Sequence, residues 1–368
     1  MSENNNLYLY EEISRDIKEL ILSKNIKYGE QIPSVSEIRK KYNVSHLTAL
    51  MVFKKLSKEG YVKCKKGRGY FVTFRQECST SKTFASICCI LRPFRETTLH
   101  DNYFNDINQA VQQELLKRKF NAVYPCCNYS FVDSNPDEDG LNSVKSTLLE
   151  FDSKTDAFII DERIPDSLIS SLRGKITKPI LTLGRKSTIN VDSVSPDNEK
   201  GARKAIEICL KMNYNFFCVG RNGITYSNFD ERTDAFLAAL KENNVPEKRI
   251  FCFDYNICPF EETALLIEKN IKPDCKTMIF SPTDYFARKL VDLFTEKGIK
   301  LGDKLGIMGF DGIEMPAAAE LHLTTVNVHP SEMGIKAVEI VLSRINGTNF
   351  EKKKNYTVPA TLQVGESI

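Results

Sequence analysis

Pro33-Ser34-Val35-Ser36-Glu37-Ile38-Arg39-Lys40-Lys41-Tyr42-Asn43-Val44-Ser45-His46-Leu47-Thr48 is the stretch on which the N-terminal fold turns. Ser34 and Glu37 stand three apart, the spacing of a capping box: the hydroxyl takes one orphan amide and the carboxylate reaches back to the other. A second helix is therefore expected after Ser34, with Ile38 and Tyr42 on one face. Asn43-Val44 makes a short turn. Ser45 then caps a third helix whose inward stripe is Ala49, Val52, Phe53 and Leu56. Two helices joined by so short a turn form a helix-turn-helix, and the later helix is the one that enters a major groove.

Upstream, Ile13, Ile17, Leu20 and Ile21 recur at helical spacing across residues 11–22, and Gly29 and Pro33 punctuate the chain after them. Downstream, Gly60 ends the third helix. Val62 and Cys64, then Tyr70, Val72 and Phe74, alternate about Lys65-Lys66-Gly67-Arg68-Gly69, which predicts a hairpin with a basic, glycine-bearing tip. Such a tip can lay amides and cations against phosphates or a minor groove. Glycines and cations also suit any exposed turn, but behind a capped helix-turn-helix the nucleic-acid reading is favoured. Charge agrees with it. Residues 1–75 hold 15 Lys and Arg against 8 Asp and Glu, a surplus of 7 in a chain of net charge +3, so the remainder sums to −4. A basic module on an acidic body is the pattern of a protein one end of which meets a polyanion.

The module resembles the GntR-type winged helix-turn-helix regulators. Tyr10-Glu11-Glu12-Ile13, Gly29-Glu30-Gln31-Ile32-Pro33-Ser34, Tyr42-Asn43-Val44-Ser45, Lys55-Leu56-Ser57-Lys58-Glu59-Gly60-Tyr61-Val62 and Lys66-Gly67-Arg68-Gly69-Tyr70-Phe71-Val72 carry the likeness, in the family's order. The resemblance implies an α+β winged helix-turn-helix DNA-binding domain over residues 1–74. Its DNA-facing positions would be Ser34, Ser36, Ser45, His46, Thr48, Leu50, Lys65, Lys66, Gly67 and Arg68. The family usually carries Glu-Arg or Glu-Asn after Pro-Ser and opens the recognition helix with Ser-Arg-x-Thr-Val-Arg. Here those places hold Val35-Ser36 and Ser45-His46-Leu47-Thr48-Ala49-Leu50, so the family's base code does not transfer. Thr48 is expected to hydrogen-bond to a base. Leu50 either meets a thymine methyl or packs against the first helix.

Residues 75–82 are polar and aperiodic and read as a linker. Beyond it, apolar runs at 85–91, 121–124, 156–160, 179–183, 215–219, 250–254, 277–281 and 305–310 alternate with amphipathic stretches such as Tyr103–Lys119, Asn198–Met212, Glu231–Asn243 and Tyr285–Lys297. Repeated β-α alternation means parallel sheets covered on both faces, with ligands at the carboxyl ends of the strands. About ten strands are too many for one small sheet. Residues 83–368 are therefore expected to form an α/β domain of two doubly wound lobes facing a cleft.

This body resembles the LacI/GalR-type sensor domain, which shares its fold with periplasmic sugar-binding proteins; joined to a GntR head it looks like the arabinose-repressor subfamily. The likeness is carried by Val191-Asp192-Ser193-Val194, Asp197-Asn198-Glu199-Lys200-Gly201, Glu231-Arg232-Thr233-Asp234-Ala235-Phe236, Ile279-Phe280-Ser281-Pro282-Thr283-Asp284, Leu305-Gly306-Ile307-Met308-Gly309-Phe310-Asp311-Gly312 and Leu323-Thr324-Thr325-Val326. The resemblance implies that Arg232 forks across vicinal ligand hydroxyls, that Asp311 accepts from them, and that Thr283 and Asp284 occupy a polar ligand position. On the residues alone, Asp284 can instead cap the helix from Tyr285, Asp311 can serve a turn with Gly312, and Arg232 can pair with Glu231 or Asp234. Position adds Phe94, Arg95 and Tyr103 at the cleft mouth, with an aromatic face to stack on a sugar, and Arg185 after the run 179–183. Bidentate donors and ionised acceptors suit a neutral polyol, while two or three arginines also suit a phosphorylated or acidic ligand. Both remain open.

A length of 368 residues, 42% hydrophobic and 27% charged, fits a globular chain of two or three domains. No run approaches a bilayer span, and Met1–Asn6 has no basic start leading into an apolar run, so a cytoplasmic location is expected. Eleven Cys without a CxxC pair, mostly inside apolar runs, and only 4 His make a metal or other cofactor unexpected. GxSxG, GxxxxGK[ST] and GxGxxG are absent, which argues against an α/β enzyme; a transport-type binding protein would not need the basic head. The expectation is a ligand-responsive transcriptional regulator, a repressor by the family's commoner behaviour, serving a carbohydrate-utilisation operon. Its partners would be a double-stranded operator, a monosaccharide or sugar phosphate, and a second copy of itself, since twofold operators match twofold proteins; no membrane is involved.

Overall fold

Ser34 and Glu37 exchange the two hydrogen bonds that their spacing predicts: the Glu37 amide donates to Ser34 Oγ (3.3 Å) and the Ser34 amide to Glu37 Oε2 (2.7 Å). In the computed structural model they open α2 (Val35–Tyr42), which follows α1 (Glu3–Leu22) and precedes α3 (His46–Lys58), β1 (Val62–Lys65) and β2 (Gly69–Val72). α1 starts well before Glu11, because apolar periodicity reports only the packed part of a helix. Asn43 closes α2 in the left-handed region (φ 51°), and its amide satisfies the Arg39 carbonyl. Ile13, Ile17, Ile38, Ala49, Val52, Phe53 and Leu56 are buried together with Val62 and Val72 of the hairpin. β2 has a second neighbour: the Ile32 amide donates to the Tyr70 carbonyl and the Gly29 amide to that of Val72, both at 3.0 Å. The wing therefore gains a third segment that the sequence did not announce.

The structure describes residues 3–22, 26, 29–65, 67–73, 85–93, 99–129, 138–221, 227–255, 259–313, 321–347 and 352–368. The linker stretch 75–82 and the site candidates Lys66, Phe94 and Arg95 lie outside them. The chain divides into two compact units, Met1–Thr83 and Phe84–Ile368. In the second unit the order is β3 (Ser86–Ile90), α4 (Leu99–Lys117), β4 (Asn121–Val123), α5 (Glu138–Phe151), β5 (Ala157–Asp161), α6 (Asp166–Ser171), β6 (Ile180–Leu183), β7 (Asp192–Pro196), α7 (Asn198–Lys211), β8 (Phe216–Arg221) and α8 (Ser227–Glu242). There follow β9 (Ile250–Asp254), α9 (Phe260–Asn270), β10 (Thr277–Phe280), α10 (Asp284–Glu296), β11 (Leu305–Asp311), β12 (Thr324–Asn327), α11 (Pro330–Ile345), β13 (Asn355–Val358) and β14 (Thr361–Gln363).

These strands form two six-stranded sheets, β4-β3-β5-β6-β7-β13 and β9-β8-β10-β11-β12-β14. All pairings are parallel except β12 with β14 at one edge. The chain enters the second lobe after β7 and returns through α11 to place β13 in the first. Alternate residues of each strand feed opposite faces. Cys88, Ile90, Phe158 and Ile160 pack with Val144 and Leu148, while Ile87, Cys89, Ile159 and Leu181 pack with Val111, Val338 and Val341. Burial pushes the Cys88 thiol up to about 12, so it behaves as the small hydrophobe its apolar run predicts. Among the described residues no helix is long and apolar enough to cross a membrane.

Candidate functional site

Each unit carries one candidate site. In the first, the opening of α3 faces solvent with His46, Leu47, Leu50 and Lys54, of which Leu47 is 69% and Leu50 39% exposed. Arg39 and Lys40 of α2 and Lys63, Lys65 and Arg68 of the hairpin are also exposed. The Lys65 ammonium sits 4.4 Å from the centre of the Phe71 ring, a cation–π contact that steadies it near the tip. Gly67 turns the tip at φ 75°.

In the second unit, the carboxyl ends of the inner strands of both sheets converge. α8 supplies Arg232, and one turn on along this helix the Phe236 ring stacks on Phe280 with centroids 3.8 Å apart. The guanidinium lies 4.7 Å from the centre of the Phe310 ring and is almost wholly enclosed. It donates to Asp311 Oδ1 (2.7 Å), the Pro282 carbonyl (2.8 Å) and Asn198 Oδ1 (3.4 Å). Asp311 ends β11 at φ 140°, a strained value for a residue with a side chain. Burial raises its carboxyl against the opposing pull of Arg232, and Oδ2 is left buried with no well-formed hydrogen bond among the described residues.

From the first lobe come Glu162, directly after β5, and Tyr103 on α4. Asn228 on α8 donates to Glu162 Oε2 (2.6 Å) and to the Gly184 carbonyl (2.5 Å), so a single amide ties the lobes. Glu162 fits because residue 184 is glycine: its φ is +110°, and a Cβ there would stand 2.3 Å from Glu162 Oε2. Burial, then the neighbouring Asp161 charge, pushes the Glu162 carboxyl up to about 7. The Tyr103 hydroxyl is buried and finds no partner among the described residues, and neither does Asn228 Oδ1. Burial and then the charge of Glu162 hold the Tyr103 phenol well above its usual range. Lys186 of the first lobe also pairs with Glu231 of α8. The unpartnered Tyr103 hydroxyl and Asn228 Oδ1, beside the weakly bonded Asp311 carboxylate, need an explanation, because native interiors pair nearly all such groups. Ligand hydroxyls would supply the missing partners.

Comparison with known proteins places this geometry. The gntR family of bacterial regulatory proteins matches residues 9–72, and the periplasmic binding protein-like domain matches residues 199–368. The chain is 21% identical over 352 residues to the arabinose metabolism transcriptional repressor of Geobacillus stearothermophilus, covering 93% of each. It is 30% identical over 254 residues to the HTH-type transcriptional repressor PurR of Actinobacillus pleuropneumoniae serotype 3, covering 68% of this chain and 72% of that one. The chain belongs to the GntR-headed transcriptional regulators with a periplasmic-binding-protein-like body. Among solved structures, a LacI family transcriptional regulator from Enterococcus faecium with bound ribose superposes with TM-score 0.60 at 20% identity, covering 77% of this chain and 98% of that one.

Of the residues that sequence singled out, the structure brings Arg232, Asp311, Thr283, Asp284 and Tyr103 together in this regulator, and four of the assignments need correction. Thr48 does not face solvent: it is 3% exposed, and its hydroxyl is 2.8 Å from the Ser45 hydroxyl at the α3 cap, which removes it from base contact. Arg185 is a strut of the first lobe, donating to the carbonyls of Glu162 (2.8 Å), Ile164 (2.8 Å) and Lys186 (3.0 Å) and to Asp166 (2.6 Å). Burial opposes ionisation of Asp166, but hydrogen bonds from Arg185 and Thr188 outweigh it and hold the carboxyl at about 2. Asp284 neither caps α10, which Thr283 does, nor has much capacity left for a ligand. It accepts from the Gly312 and Ile313 amides, each at 2.9 Å, and from the Thr325 hydroxyl at 2.6 Å. Tyr103 is buried, with its ring at 87° to that of Phe104, so it offers its unpartnered hydroxyl rather than an open stacking face. Arg232 pairs with neither Glu231 nor Asp234. Sequence reasoning missed Glu162 and Asn228. Glu162 was findable as the polar residue at the carboxyl end of an apolar strand run; Asn228, inside a helix, gave no such signal.

Proposed function

We propose that the protein is a ligand-controlled repressor of a carbohydrate-utilisation operon, acting in the cytoplasm as a homodimer. Residues 1–74 would bind the operator, 75–82 link, and 83–368 hold the effector and the dimer contacts. Arg232, Asp311 and Tyr103, with Glu162 and Asn228, would bind the effector. Among the first unit's residues, Ser34, Ser36, Ser45, His46, Leu50, Lys65, Gly67 and Arg68 would meet DNA. The observation that carries this reading is the interlobe cluster in which Arg232 and Asp311 pair beside orphaned hydrogen-bonding groups from both lobes.

The charges favour a neutral polyol. A phosphate needs cations to spare, whereas Arg185 is taken by Asp166 and Arg232 by Asp311, with Glu162 close by. The bound ribose of the Enterococcus faecium relative is consistent with a ligand of this kind. A ligand that ties Asn228, Glu162 and Tyr103 to Arg232 and Asp311 would favour closed lobes, and it can shift the equilibrium only by its differential affinity for that form. A thermal-shift panel of neutral monosaccharides set against their phosphates tests the proposal. Stabilisation by one or a few neutral sugars is expected; stabilisation by phosphates alone would overturn the polyol assignment.

A further inference from the structure

Leu47 and Leu50 lie three residues apart on one face of α3, 69% and 39% exposed, while Ala49, Val52, Phe53 and Leu56 on the other face are fully buried. The exposed pair is therefore not spill-over from the core stripe. A lone exposed leucine is ordinary, but two on the leading turns of this helix stand where bases would be read. The Ser45 and Thr48 side chains are committed to the cap: the Thr48 amide donates to Ser45 Oγ (3.1 Å), and the two hydroxyls bond to each other. The same unit exposes cations: Lys54 further along α3, Arg39 and Lys40 on α2, and Lys65 and Arg68 on the hairpin. With the basic surplus of residues 1–75, these exposed cations make duplex DNA, a polyanion, the occupant of this face. Thymine's C5-methyl is the apolar group on the major-groove edges of the four bases.

We infer that Leu47 and Leu50 are specificity-determining residues that read thymine methyl groups, so that the operator is chosen here by apolar contact rather than by arginine-to-guanine bonds. The inference rests on the reading of α3 as the recognition helix.

The test uses the full chain. Binding sites are enriched from a random duplex pool, and each thymine of the best site is replaced in turn by uracil, which pairs identically but lacks the methyl. Two positions per half-site are expected to lose about fourfold in affinity each, the worth of one buried methyl. Leu47→Ala should erase the thymine-over-uracil preference at one of them and Leu50→Ala at the other. Lys54→Ala should weaken binding without touching either preference. Both leucines are exposed, so the variants are expected to melt like the parent protein, and a melting curve for each checks that. If uracil is tolerated at every enriched position, or if the preference survives both leucine substitutions, the apolar reading is wrong while DNA binding stands. If no sequence is enriched over random competitor, the inference fails together with the recognition-helix assignment on which it rests.

Discussion

Arg232 carries its charge inside the protein, and Asp311, the Pro282 carbonyl and the Phe310 ring are what make that tolerable. Removing one member of a buried pair strands the other, at a cost of about 3–5 kcal/mol. Arg232→Ala should therefore abolish any sugar-induced shift and also lower stability by that order in urea melts of the whole protein; a loss under about 1 kcal/mol would mean that the pair is not buried as described. Glu162 makes a different prediction. Its folded-state pKa is raised from 4.5 to about 7 by burial and by Asp161, so the folded chain holds the proton more tightly than the unfolded one. Its contribution to stability is then full below the unfolded value and is lost as pH rises through the window from 4.5 to about 7. Asp284, pushed up to about 7 by burial and by Asp311, adds to the same trend. Melting temperature should fall across that window, and less steeply in Glu162→Gln; an unchanged slope in that variant removes Glu162 from the explanation. The sequence pointed to Arg232 and Asp311 because a family motif carries them, and it misread Thr48 and Arg185. The reason is physical: a residue type reveals that a group can donate, while only the fold reveals that Ser45 or Asp166 has already accepted.

At the scale of elements, capping chemistry was the most legible signal. Ser34 with Glu37 and Ser45 with Thr48 behave as local spacing requires, because those bonds span only three residues. Ser45→Ala should cost about 1 kcal/mol in a denaturant melt of the head's transition; no change would mean that water replaces the cap. Strands were legible where both faces are buried in apolar side chains, as in β3, β5 and β8. β7 was missed as an apolar run because Asp192 and Ser193 are buried through polar bonds instead, Ser193 with Asn355 and Asp192 with Arg344 at 2.8 Å. The segment at 29–32 that completes the wing has no strand periodicity, since only its backbone pairs. The wing itself makes a salt-dependent prediction. Lys65→Ala with Arg68→Ala should weaken binding to all duplexes alike and reduce the slope of log affinity against log salt by up to about 2. An unchanged slope would place both cations away from phosphate.

For the whole molecule, the two-lobed body is a switch only if its closure is worth something to the ligand. Asn228 and Lys186 bridge the lobes through Glu162, Gly184 and Glu231. An effector present at 100 times its Kd adds about 2.7 kcal/mol to the state that binds it. The most direct test measures the affinity of the full chain for its enriched duplex by fluorescence anisotropy, with and without a saturating amount of the sugar that gives the largest thermal shift. The account predicts that the sugar weakens DNA binding by at least about fivefold, the lower end of ordinary coupling between sites. An affinity that does not change when the cleft is filled would contradict it.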